Sequence, residues 1–190
     1  MRLAEPIRVA AFGAQDSLYQ RAMGSDFERL APALQRFHSL GGDCRLHGMV
    51  QTEAPQGRIA RMLARTLGTP LQTSQGPIRF ELHATPHEEC WVRHFPQQTM
   101  KSVLGLEQGR LVERFRIVRL EFKLIENRGA LRMALCGLRF LGMPCPGWLR
   151  PEVLAEEHGD GDRLFFYVRA RLPGIGQVVA YQGHLELPTP

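Results

Sequence analysis

The sequence predicts an α+β fold: a strongly curved antiparallel meander sheet, or a partial β-barrel, of about eight strands with N-terminal helices packed on its concave side or mouth. Three observations point there. Up to Phe37, apolar residues recur at three- and four-residue steps, the spacing of a helix face. After Pro70 the period changes to two and stays there, the spacing of half-buried strands. The strand-like runs are joined by short turn signals such as Asn127-Arg128-Gly129, which favour antiparallel neighbours. A long meander tends to curl or close, because a flat twisted sheet leaves edges open.

Residues 1–14 read as an N-terminal tail, interrupted by Pro6 and Gly13, and 15–190 as a single domain. From Asp16, the residues Tyr19, Met23, Phe27, Leu30, Leu34 and Phe37 form an apolar stripe. Gly24 weakens it, and Ser25 with Glu28 has the spacing of a capping box, so a new helix is expected there. Pro32 suits the first turn of a further short helix. Asp43–Thr52 alternates weakly, as a first strand. Pro55 then opens a helix through Leu67, with Ile59, Met62, Leu63 and Leu67 apolar and Arg58, Arg61 and Arg65 on its other face. That arginine face reads as solvated, or as an anion or membrane-surface contact.

Ile78, Phe80, Leu82 and Ala84 alternate with polar residues, and Pro86-His87-Glu88 turns the chain into a strand holding Trp91. Strands are expected at Thr99–Leu106, Arg110–Phe115, Arg116–Ile125 and Ala130–Leu141. The proline-rich stretch 142–151 cannot continue a central strand and must be an ordered loop. Glu152–His158, Arg163–Leu172 and Gln177–Leu187 complete the meander.

Composition excludes several classes. The 190 residues carry 24 Lys and Arg against 19 Asp and Glu, a net charge of +5, but the bases alternate with acids along the chain. Such dilution gives no nucleic-acid footprint. The four cysteines, Cys44, Cys90, Cys136 and Cys145, fall at no metal or redox spacing, and H-E-x-x-H is absent, so neither a metal nor a cofactor is expected. No G-x-S-x-G elbow is present, and Gly174-x-Gly176 lacks the third glycine of a dinucleotide loop. No apolar run is long enough to span a bilayer, and no signal peptide is legible, so a cytoplasmic location is expected.

What remains are charges in apolar registers. In Cys90-Trp91-Val92-Arg93-His94-Phe95, strand alternation puts Trp91, Arg93 and Phe95 on one face. Two large rings mark that face as buried, so the Arg93 charge needs a partner. Glu113 lies between Leu111 and Phe115, Arg139 lies beside Gly137 and Leu141, and of Glu156 and Glu157 at least one must point inward. Internal ion pairs are one account. The other is a polar patch inside an apolar pocket, where a guanidinium fixes a ligand's acidic head group.

Several stretches together resemble the bacterial domain of unknown function 4166, over about Asp16 to Leu187. They are Leu34–His38 with Gly42, Gly57 with Ala60-Arg61 and Gly68-x-Pro70, and Trp91-x-Arg93-x-Phe95 with Ser102. Glu113, Gly142-x-Pro144-x-Pro146, Leu149-x-Pro151 with Glu156 or Glu157, and Tyr181-x-Gly183 before Leu185 complete the set. Pro96-Gln97-Gln98 stands where that family has a glycine, and His184 where it has Trp. The resemblance implies company with NAD-dependent reductases and supplies no activity.

The reading placed first is a non-enzymatic binding domain for a lipid-like or amphipathic acidic small molecule. Its ligand-binding candidates are Trp91, Arg93, Phe95, Glu113, Arg139, Glu157 and Tyr181, with no catalytic residue assigned. The alternatives are an accessory domain that docks a reductase or other protein partner without a pocket, and an enzyme using the internal Glu and Arg.

Overall fold

The computed structural model describes Ala10–Ala11 and residues 16–188. The expected tail therefore lies outside the described residues except for Ala10–Ala11, a short strand β1 that pairs with Leu40 and Gly41.

Three short helical segments follow. Helix α1 (Leu18–Met23) begins at a capping box made by Ser17 and Gln20, with Ser17 N–H donating to Gln20 Oε1 at 2.8 Å. The box expected at Ser25 and Glu28 does not form. Gly24 takes a positive φ of 57°, and the chain tightens into a 3₁₀ turn, Gly24–Arg29. Pro32 occupies the first turn of α2 (Pro32–His38), where its missing N–H costs nothing.

Strand β2 (Leu40–Thr52) leads to α3 (Arg58–Leu67), and a meander then runs through β3 (Ser74–Ala84), β4 (Glu88–His94), β5 (Thr99–Glu107) and β6 (Arg110–Phe115). It continues through β7 (Val118–Asn127), β8 (Ala130–Phe140), β10 (Glu152–Asp160), β11 (Arg163–Leu172) and β12 (Gly176–Glu186). A two-residue strand β9 (Met143–Pro144) pairs only with β8. Every pairing is antiparallel, and β2 bonds both β3 and β12. The sheet is therefore a closed barrel of ten strands rather than a partial barrel of about eight. Closure removes both edges.

The seam that closes the barrel depends on two glycines. A Cβ on Gly48 would lie 1.8 Å from the His184 carbonyl oxygen, and one on Gly183 would lie 2.1 Å from that of Met49. Only glycine lets β2 and β12 approach this closely.

The two ends of the barrel differ. At one end the N-terminal helices form a plug that buries Leu18, Tyr19, Phe27, Leu34 and Phe37 against Phe80, Trp91, Leu104 and Leu164. Ala31 N–H donates to the Gly129 carbonyl at 2.8 Å, and Arg29–Glu126 and Arg36–Asp162 pairs tie the plug to the β7–β8 and β10–β11 turns. At the other end lie the turns 95–98, 115–118 and 172–176, the loop 141–151, and α3 packed on β12. The expected apolar face of α3 is only half buried. Ala60 and Ala64 are its fully buried residues, while Ile59 and Met62 are 57% and 62% exposed. Small side chains let the helix lie close on Val178, and its larger ones are left outside.

Candidate functional site

The unplugged half of the barrel holds a cavity of about 200 Å³. One buried water needs only ~10–15 Å³ of such space, so this is no packing defect. Its walls are apolar: Met100, Phe122, Met133 and Leu138 from β5, β7 and β8, with Val153, Val168, Val178 and Val179 from β10 to β12. Leu63, Thr66 and Leu67 of α3 line it on the helix side, and Phe140 lines it from the end of β8. These wall residues explain the broken burial alternation of β8 and β11, whose inward side chains face a cavity instead of close-packed neighbours.

The inner end of the cavity is polar. Trp91, Arg93 and Phe95 share the interior face of β4, as strand alternation requires. Arg93 Nη1 donates to Ser102 Oγ at 3.0 Å, its Nη2 lies 3.5 Å from Glu113 Oε1, and the guanidinium sits 4.8 Å from the Trp91 ring centroid. Arg93 is thus internally paired and also lines the cavity. Burial pushes the Glu113 carboxyl above the ordinary carboxylate range, against the pull of Arg93. Tyr181, on β12, lines the same end and packs edge-to-face on Phe95. Burial raises its phenol to about 12, keeping it a neutral hydrogen-bond donor.

Glu157, on β10, also lines the cavity, and it turns toward the plug, where His38 Nε2 lies 2.7 Å from its Oε2. The His38 ring stacks on Tyr19 at 3.7 Å between centroids. Glu156 points outward, with Arg132 3.9 Å away. The structure therefore brings Trp91, Arg93, Glu113, Glu157 and Tyr181 to one cavity, with Phe95 packed directly behind Tyr181. Arg139 does not join them. It is exposed at the far end of β8, with its Nη1 bonded to the Gly142 carbonyl at 3.4 Å. A β-bulge at Glu121/Phe122 shifts the register against β8 ahead of that end.

Three polar members of this interior carried little signal. Glu89 is buried and accepts from Trp91 Nε1–H at 2.9 Å. Extending the alternation of Trp91, Arg93 and Phe95 back by two finds it. His38 and Tyr19 sit in a helical stripe that reads as plain core. The Tyr19 hydroxyl and His38 Nδ1 are buried with no hydrogen-bond partner among the described residues.

Burial also raises the Glu89 carboxyl, so just above the ordinary glutamate pKa the folded state holds protons on Glu89 and Glu113 that the unfolded chain has released, and at higher pH both ionise. The stability these groups contribute is fully present below the ordinary glutamate pKa and is lost as pH rises through their raised folded values. The melting temperature is expected to fall as pH rises above the ordinary glutamate range, and Glu113→Gln to flatten that fall. Thermal melts of both proteins over that rise check this, because every other titrating group is common to the two.

The chain matches, over residues 30–185, the family described as Domain of unknown function (DUF4166). None of the curated proteins matches it. A solved structure, the crystal structure of Rv2717c from M. tuberculosis, is similar with a TM-score of 0.45 and 14% identity, covering 84% of this chain and 99% of that one.

Proposed function

We infer, for a chain that belongs to the DUF4166 family and from the cavity it encloses, that the barrel binds a lipid-like, amphipathic small molecule. The observation that carries this is the polarity of one cavity: apolar walls running inward to Arg93, Glu113 and Tyr181. A hydrocarbon chain would gain about 0.8 kcal/mol per buried CH₂ against such walls. Its polar end would accept from the Tyr181 hydroxyl and the Arg93 guanidinium. A carboxylic acid suits this best, since it can take the place of Glu113 at Arg93 while Glu113, already biased by burial, takes up the proton. Because Arg139 stands on the surface, a single guanidinium serves the head group.

Displacement of a fluorescent fatty acid tests the reading. A long-chain fatty acid is expected to displace the probe, its methyl ester to do so more weakly, and acetate not at all. Binding should tighten as pH falls toward the range in which Glu113 is protonated, the direction that proton uptake on binding requires. A probe that does not bind, or that acetate displaces as well as the long-chain acid does, sinks the reading.

A further inference from the structure

We propose that the open rim of the barrel docks on an anionic lipid bilayer. Eight large apolar side chains are exposed among the described residues, and six of them stand at this one end: Ile59 and Met62 on α3, Phe140 at the end of β8, and Leu141, Met143 and Trp148 on the segment after it. The clustering is the reverse of what a solvated surface needs, where exposed apolar residues are scattered singly. Trp148 is 77% exposed, at the tip of a 3₁₀ turn, Gly147–Leu149. An indole so placed suits the headgroup level of a membrane.

The charge on this rim matches its apolar cluster. Arg58, Arg61, Arg65, Arg116, Arg139 and Arg150 are exposed on the same rim, and none comes within 4.0 Å of a carboxylate among the described residues. Arg61 and Arg139 meet only backbone carbonyls, of Leu71 and Gly142. At the plugged end Arg29 is paired to Asp26 and Glu126 and Arg36 to Asp162, while Arg21 meets the Pro86 carbonyl and Arg128 no carboxylate among the described residues, so free arginines there are fewer and stand apart from any apolar cluster. Three acids lie toward the rim: Glu53, which meets Arg169 and Gln177, Glu121, which meets Arg110 and Arg119, and the exposed Glu152. A basic ring around exposed apolar side chains is complementary to anionic headgroups over acyl chains.

No helix of the described residues is long and apolar enough to cross a bilayer. The docking surface stands on the rim residues alone and goes beyond the cavity reading. A bilayer seated here would put acyl chains beside Leu63, Leu67 and Phe140, which line the cavity.

The test is sedimentation with vesicles of phosphatidylcholine alone and of an equimolar mixture with phosphatidylglycerol. Binding is expected only to the mixture and should weaken as salt rises. Replacing Arg58, Arg61 and Arg65 together by Gln should lower that affinity on the order of 100-fold. These side chains are exposed, so the melting temperature should hold. Of the two tryptophans, Trp91 is 6% exposed, so an emission blue shift on binding should come from Trp148 and vanish in Trp148→Phe. No preference for anionic vesicles, an unchanged affinity of the triple variant, or a blue shift surviving in Trp148→Phe would overturn the proposal. Fatty-acid displacement in vesicle-free buffer is unaffected by any of these outcomes, so the two readings fail separately.

Discussion

Arg93→Ala is expected to cost about 3–5 kcal/mol of stability, roughly 6–20 °C in melting temperature, because it strands the buried Glu113 carboxyl. The guanidinium also packs on Trp91, so truncation removes contact as well as charge. The double variant Arg93→Met/Glu113→Gln should recover most of that loss, since an apolar group of similar length replaces the guanidinium and neither member of the pair leaves a charge behind. Ligand affinity should not recover. A guanidinium with a purely internal role would give a double variant that melts near wild type and still binds the fatty acid. Melting and displacement measured on the same three proteins separate the two roles of Arg93.

The second large effect belongs to the seam. Gly183→Ala and Gly48→Ala should each cost about 1–3 kcal/mol or more, because the added carbon meets a carbonyl oxygen of the facing strand that cannot swing aside. Gly147→Ala is the control: its Cβ meets nothing within 4 Å, so a change within about ±0.5 kcal/mol is expected. Parting β2 from β12 also moves Tyr181, which pairs with Thr52 across that seam, away from Arg93. Denaturant unfolding measures the stability loss. Faster amide exchange confined at first to Leu46–Thr52 and Tyr181–Leu185 would locate it. Equal losses at Gly147 and Gly183 would deny the seam its special role.

Much of this arrangement is legible along the chain because a meander writes itself locally. Each strand from β3 onward pairs with its sequence neighbour, except for the step from β8 to β10 over the short β9, so the period of two and the turn residues suffice. Closure is not local. It is made by β2 meeting β12 across more than half the chain, and glycines that permit the approach look in sequence like interruptions of a weak strand. The same division runs through the site. The shared face of Trp91, Arg93 and Phe95 follows from alternation alone, and the pairing of Arg93 with Glu113 needs only the β4–β5–β6 meander. Placing Arg139 needs the bulge at Glu121/Phe122 and the distance from the closed end, which alternation does not encode. The apolar stripe of α3 is visible in sequence, but Ala60 and Ala64 take the barrel contact, leaving Ile59 and Met62 outside. His38 is reached only once the plug brings α2 over β10, since its partner Glu157 is 119 residues away.

The proposed ligand is an amphipathic molecule that lies in the barrel with its polar end at Arg93. Quenching of tryptophan emission by brominated fatty acids tests it most directly, because Trp91 lines the inner end of the cavity. In a Trp148→Phe background, the remaining emission comes from Trp91 alone. An acid brominated beside its carboxylate should quench that emission strongly and saturably, and one brominated at its tail should quench it far less. Equal quenching by both acids, or none by either, would contradict the account.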